Sequence, residues 1–375
     1  MFRPEMEQLP QYFTGEAMGV DQVCFCKLDA NERPGQLPAS VRREILAQLK
    51  LVESTRYPDP SGANLRKLLA DEYQVTANQV LIGNGSSELI AAVCATFGGA
   101  RRPVVYQWPS FSMYPAYAAM ADSPPVAAPL TKYFELLPAA ILARVRQVRA
   151  KLLILCNPNN PTGTVISPAS LRNILEQCPC PVLVDEAYME FYGTSCTPWL
   201  AEFPQLMVAR TFSKAYGLAA ARVGYLLASP EICAAIGKRL LPYHNNAFSL
   251  TAAEVCFRQR DLVLKAIPEL IGRREELAGA IDKLAAIEVF PSAANFLLIR
   301  VGKPELLQDI LTYNHIGVRD FSSMPELKGC LRITIGTRSE QTKVLQGLRV
   351  YNGSVTRRDP EPCVTRIQRR PGKDL

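Results

Sequence analysis

Histidine is almost missing from this chain: 375 residues contain only His244 and His315. The eleven cysteines include no C-x₂-C pair; the closest spacings are the C-x-C pairs Cys24/Cys26 and Cys178/Cys180. A structural zinc site, built from four Cys or His ligands at short spacings, is therefore not expected. No stretch approaches the roughly 18 apolar residues needed to cross a bilayer, and 89–100, the nearest, is too short. The opening Met1-Phe2-Arg3-Pro4-Glu5 has no apolar signal-peptide core, so the expectation is a cytoplasmic protein with reduced, mostly buried cysteines. No internal repeat is present. Neither common nucleotide-binding loop is complete. Gly83-Asn84-Gly85-Ser86-Ser87-Glu88 begins like a dinucleotide fingerprint but has Glu88 where the third glycine belongs, and no Gly-Lys pair is followed by Ser or Thr.

What is present is ordinary globular composition, 48% hydrophobic and 21% charged, at a length that suits two or three domains. The net charge is +7, of which residues 353–375 contribute +3 through five Arg and one Lys against two Asp and one Glu. This Arg- and Pro-rich segment has no apolar periodicity and is expected to be a disordered, solvated tail rather than a nucleic-acid contact. Short apolar runs at 79–82, 103–106, 152–156, 181–184, 206–209 and 223–228 are bounded by turn residues and predict strands buried on both faces. Helical stripes lie between them, as at Leu65, Leu68, Leu69 and Tyr73, or at Leu171, Ile174 and Leu175 behind a Ser167 cap and Pro168. The alternation predicts a mainly parallel sheet covered by helices. After residue 250 a helical stretch to about 286, kinked at Pro268, is followed by strands at 295–301 and 331–335 around a helix at 304–314. These predict a smaller α+β unit.

Several polar clusters fall where these strands end, the edge at which open α/β sheets bind ligands. Gly83 and Gly85 lead into a helix opened by Ser86 and Ser87, whose free amides suit a phosphate ester, although capping serines explain the same pattern. Asn157-Pro158-Asn159-Asn160-Pro161-Thr162-Gly163 follows one run, Asp185-Glu186-Ala187-Tyr188 the next, and Ser213-Lys214 with Arg222 a third.

These blocks, with Leu28-Asp29-Ala30-Asn31-Glu32, Arg56-Tyr57-Pro58, Lys214-Ala215-Tyr216-Gly217-Leu218-Ala219 and Leu331-Arg332-Ile333-Thr334, are similar to those of fold-type I pyridoxal-phosphate aminotransferases. Within them the chain most resembles the histidinol-phosphate aminotransferases, over residues 12–350. The resemblance implies a large domain with a mostly parallel seven-stranded sheet between helices (40–250), and an interdomain helix and small domain (251–352). The N-terminal arm (1–39) joins the small domain, and the tail is 353–375. It implies pyridoxal 5'-phosphate as cofactor, no metal, and a homodimer with a shared active site. The implied reaction is histidinol phosphate with 2-oxoglutarate, a step of histidine biosynthesis. A threonine-phosphate decarboxylase or an aromatic amino acid aminotransferase is the alternative on the same scaffold, and a cofactor-sensing regulator is a distant third.

By the same resemblance Lys214 carries the cofactor and shuttles a proton, Asp185 faces the pyridine nitrogen, and Asn157 and Tyr188 bond the ring's 3-oxygen. Ser86, Ser87, Ser213 and Arg222 hold the cofactor phosphate, which Tyr57 reaches from the neighbouring subunit. Phe111 stacks on the ring where the family usually has Tyr. For the substrate, Arg332 meets a carboxylate, Arg319 a phosphate, Tyr12 closes over the site, and Asn31 orders that lid. His244 receives no role, and His315 is expected to be structural.

Overall fold

The computed structural model describes residues 26–356. In chain order its strands are β1 (Cys26–Leu28), β2 (Val80–Gly83), β3 (Val104–Trp108), β4 (Pro125–Pro129), β5 (Leu152–Cys156), β6 (Val182–Asp185), β7 (Leu206–Thr211), β8 (Gly224–Leu227), β9 (Ile287–Val289), β10 (Phe296–Val301), β11 (Ile316–Asp320) and β12 (Cys330–Thr334). Seven form one sheet in the order β2-β8-β7-β6-β5-β3-β4, and five form another in the order β1-β11-β12-β10-β9. Every residue of β5, β6, β7 and β8 is buried, because helices cover both faces of the large sheet. That double burial is why these strands read as unbroken apolar runs.

β3 through β7 pair in parallel, so their C-terminal ends share one edge of the sheet. β8 runs the other way and starts at that edge, with Gly224 opposite both Gly83 and Thr211. Helix starts follow local capping chemistry. The Ser167 hydroxyl accepts from the Ser170 amide at 3.1 Å, with Pro168 opening the helix Pro168–Gln177. Asn246 likewise caps the helix Ala247–Arg258 through the Ser249 amide at 2.8 Å.

In the smaller sheet β1 pairs in parallel with β11, bringing residues near the start of the chain beside its C-terminal third. The chain then passes through Asp29, Ala30 and Asn31 toward the edge of the large sheet. Asn31 is buried and left-handed (φ 54°), its amide donating to Thr334 Oγ1 at 3.0 Å. Two expectations need correction. The stretch after 250 is not one kinked helix but three, Ala247–Arg258, Arg260–Leu264 and Ile267–Ile281, with Pro268 in the first turn of the last. A proline that cannot donate fits a helix start better than a helix interior. The supposed tail also begins too early, since the last helix runs Arg338–Thr356; the rest of that segment lies outside the described residues. Among the described residues no helix is long and apolar enough to cross a membrane.

Candidate active site

The C-terminal edge of the large sheet and the facing strands of the small one enclose a cavity of about 810 Å³. One end is an anion cradle. β2 ends in Gly83, the chain turns at Gly85 (φ +81°), and the helix Ser86–Phe97 starts with its first amides directed outward. A Cβ on Gly85 would stand 2.5 Å from Arg222 Nη2, and one on Gly224 would stand 2.3 Å from the Ser86 amide nitrogen. Gly224 is therefore required by close approach to backbone, and Gly85 by its positive φ. Arg222 (φ 54°) donates to Ser213 Oγ at 3.4 Å, and Ser86, Ser87, Ser213 and Arg222 all line the cavity. Helix amides, hydroxyls and a guanidinium converging on one spot attract a phosphate. Gly224→Ala should push the helix start aside, costing about 1–3 kcal/mol of stability by overpacking and weakening anion retention; denaturant titration and a binding isotherm check the two effects.

The same helix is braced from behind. Glu88 accepts from the Asn84 amide and pairs with His244 Nδ1, both at 2.6 Å. The next residue back, Tyr243, stacks on Tyr57 with ring centroids 4.4 Å apart. The residue that spoils the dinucleotide fingerprint is thus a tie between the cradle and the 242–246 segment. No local signal could have revealed a contact spanning 156 residues.

The middle of the cavity holds a carboxylate and an amine. Asp185, the last residue of β6, is buried; it accepts from the Tyr114 hydroxyl at 2.7 Å and the Ala187 amide at 3.1 Å. Burial pushes its carboxyl up to about 6, against the pull of those two donors and of Lys214. Lys214 Nζ donates to the Ala30 carbonyl at 2.8 Å and stands 5.9 Å from the Tyr188 ring centre. Burial first, then the positive charge of Arg332, Arg222 and Lys27, lowers its amine to about 7 against the opposing charge of Glu32. A lysine neutral at ordinary pH is a nucleophile and a base. The Tyr188 hydroxyl accepts from Asn31 Nδ2 at 2.9 Å, and burial raises its phenol. Phe111 lines the cavity and meets Tyr114 edge to face at 5.5 Å.

The small sheet supplies the far wall. Arg319 of β11 and Arg332 of β12 are direct cross-strand partners, and both line the cavity. Arg332 donates to the Asp29 carbonyl and to Asn160 Oδ1. Arg319 lies 6.0 Å from the Phe321 ring, while exposed Asp320, its neighbour along the strand, falls on the alternate face and does not line the cavity. Among the described residues no group of three or more Cys, His, Asp or Glu is placed to hold a metal.

Comparison with known proteins places this arrangement. Residues 25–348 match the family model "Aminotransferase class I and II". The histidinol-phosphate aminotransferase of Caldanaerobacter subterraneus subsp. tengcongensis is 36% identical over 86% of this chain and 92% of its own. That of Thermococcus gammatolerans is 36% identical over 87% and 92%. The chain belongs to the histidinol-phosphate aminotransferase family. Its fold is that of the Sinorhizobium meliloti histidinol-phosphate aminotransferase, solved in complex with pyridoxal-5'-phosphate, at a TM-score of 0.85 and 24% identity over 94% of this chain and 98% of that one.

The family's motifs led to most of the cavity but not to all of it. Asn157 is a correction. It is buried outside the cavity wall, its Oδ1 accepting from the Ile166 amide at 2.9 Å and its Nδ2 donating to the Ile166 carbonyl at 3.5 Å. Asn160, three residues on in the same motif, lines the cavity instead. Both asparagines precede a proline, and only the path of the loop separates them. Tyr114 was also missed; its place one turn after Phe111 was the available signal. Asn31 lines the cavity but spends its amide on Tyr188. Tyr57 is 81% exposed and does not line this chain's cavity. Tyr12 lies outside the described residues.

Proposed function

We propose that this chain uses pyridoxal 5'-phosphate to move the amino group of histidinol phosphate onto 2-oxoglutarate, giving imidazole acetol phosphate and glutamate. One observation carries the reading: a near-neutral amine and a buried carboxylate share a cavity that has an anion cradle at one end and two arginines at the other. The donor set fits the cofactor group by group, with Lys214 for its aldehyde, Asp185 for its pyridine nitrogen, and Ser86, Ser87, Ser213 and Arg222 for its phosphate. Gly85 and Gly224 leave the backbone room that such a cradle needs. When bound, the cofactor supplies an electron-accepting ring joined to the carbon that bears the amino group.

The protein does the rest. Lys214 Nζ, about half neutral at pH 7, takes the proton from the substrate Cα and returns it on the other side of the transfer. Asp185 stays anionic beside a positive partner and fixes a proton there. Tyr188, aimed by Asn31, and Asn160, aimed by Arg332, hydrogen-bond the ring's oxygen; Phe111 offers a flat apolar face. Arg332 binds the carboxylate of glutamate and 2-oxoglutarate, a planar pairing that suits a guanidinium. Arg319 binds the donor's phosphate.

A homodimer completes the site. Tyr57, Leu241, Tyr243 and Phe248 expose large apolar surfaces on neighbouring segments, which suits coverage by a second copy. In that assembly the partner subunit's Tyr57 reaches the cradle. The reading is tested by a coupled assay for glutamate formed from histidinol phosphate and 2-oxoglutarate; one glutamate per donor consumed is the expected stoichiometry. Arg319→Ala should raise KM for histidinol phosphate about 10- to 100-fold, the worth of a charge-assisted contact, and leave KM for glutamate within about 3-fold. Equal rises for both substrates would remove the phosphate role.

A further inference from the structure

Away from the cavity, one pair of side chains is set up for chemistry that transamination does not use. Cys178 ends the helix Pro168–Gln177 as its C-cap, and Cys180 follows after exposed Pro179, just before β6. Their Sγ atoms are 3.6 Å apart. Cys178 is partly exposed, whereas Cys180 and the other seven described cysteines are buried.

The pair is asymmetric. The Cys180 thiol, its amide and the positive charge of Arg146 all favour a thiolate at Cys178, against partial burial, so the Cys178 thiol sits below its usual range. Arg146, whose Nη2 reaches the Gln177 carbonyl at 3.4 Å, also offsets the negative end of the helix that Cys178 terminates. The Cys180 thiol is pushed up by its pairing with Cys178 and by burial. A partly exposed thiol biased toward its thiolate form, 3.6 Å from a buried thiol, is the arrangement of an oxidation-sensitive cysteine with its resolving partner.

We propose that Cys178 is a hydroperoxide-reactive cysteine and that Cys180 resolves it into a reversible Cys178–Cys180 disulfide. In the first step the Cys178 sulfur attacks one oxygen of hydrogen peroxide and the O–O bond breaks. The departing hydroxide takes a proton and leaves as water, so Cys178 is oxidised to its sulfenic acid while the peroxide is reduced. In the second step Cys180 gives up its proton and its sulfur attacks the Cys178 sulfur; the S–O bond breaks, the S–S bond forms, and a second water leaves. In sum, two thiols and one hydrogen peroxide give a disulfide and two waters. Closing the gap to a bond of about 2 Å needs side-chain rotation and little else. Residues two apart in a chain hold their Cα atoms about 5–7 Å apart, within what a disulfide spans. A disulfide at the partly exposed Cys178 is open to reduction again.

The test uses the reduced holoenzyme, brief treatment with dilute hydrogen peroxide, alkylation, proteolysis and mass spectrometry. The expected product is a peptide containing both cysteines, unalkylated and lacking two hydrogens, restored to its alkylatable form by dithiothreitol. Cys180→Ser should instead accumulate a sulfenic acid at Cys178, trapped by dimedone, and Cys178→Ser should form neither product. The proposal is overturned if both cysteines stay fully alkylatable at a peroxide dose that oxidises the buried cysteines. It is equally overturned if dimedone labels Cys178 to the same extent in the unmutated protein and in Cys180→Ser. The measurement on the unmutated protein stands whether or not either variant folds.

Discussion

Lys214→Ala is expected to lose at least about 10⁴-fold in kcat, because one change removes both the group that anchors the cofactor and the base that moves the proton. The position of Nζ explains why no neighbour substitutes for it. Its hydrogen bond to the Ala30 carbonyl and its place above the Tyr188 ring hold it against the cavity, and among the described residues the only other lysine lining the cavity is Lys27, which is paired with Glu32. The same burial makes a prediction in pH. An amine lowered to about 7 is mostly protonated and unreactive below that value and mostly neutral above it. Loading of the apoprotein with pyridoxal phosphate should therefore accelerate as pH rises through about 7, and stopped-flow absorbance reads the midpoint. A midpoint near 10 would mean that the lysine is solvated and that the cavity does not tune it. Lys214→Ala should still retain cofactor through the cradle, but without the absorbance of the lysine-linked form; turnover at normal rates in this variant would refute the assignment.

Asp185→Asn carries the second large effect, a loss of roughly 10²- to 10³-fold in kcat, the usual worth of a preorganised charge facing a reacting centre. The substitution keeps shape and volume and one oxygen to accept from Tyr114, but it gives up the second accepted bond, from the Ala187 amide, along with the charge. Stability should move little. Burial raises the folded-state carboxyl to about 6, above its value of 3.8 in an unfolded chain. The native apoprotein then holds a proton that the unfolded chain has lost between those values, so this group's contribution to stability falls as pH rises through that window. At neutral pH the charge costs the apoprotein stability, which offsets the bond lost from the Ala187 amide, so Asp185→Asn should keep a Tm within a few degrees of the unmutated protein there. A fall in kcat together with a large fall in Tm would mark Asp185 as a structural residue instead.

The strands of the large sheet were legible because burial on both faces leaves continuous apolar runs, and each of the six expected runs overlaps an observed strand. β4 was not, because Pro125 and Pro129 bracket it; prolines are tolerated there since β4 is an edge strand with one unpaired side. β1 is three residues long and exists only through β11, so nothing within Cys26–Leu28 marks it. The chemistry was legible wherever a motif sat directly at a strand end, as with Asp185 and the Ser213-Lys214 pair. It was less so inside the Asn-Pro loop, where Asn157 turns to the Ile166 backbone and Asn160 faces the cavity. The His244–Glu88 tie and the Arg319–Arg332 pairing are long-range facts of register, which no window of sequence contains.

The reading as a whole turns on the amino donor. Holoenzyme should be mixed separately with histidinol phosphate, threonine phosphate, phenylalanine and glutamate, with cofactor absorbance followed through a single half-reaction and evolved carbon dioxide measured in parallel. Histidinol phosphate and glutamate are predicted to convert the cofactor to its amino form without releasing carbon dioxide, histidinol phosphate at least about tenfold more efficiently than phenylalanine, in keeping with the phosphate contact assigned to Arg319. Conversion by phenylalanine but not by histidinol phosphate, or carbon dioxide release from threonine phosphate, would contradict the account.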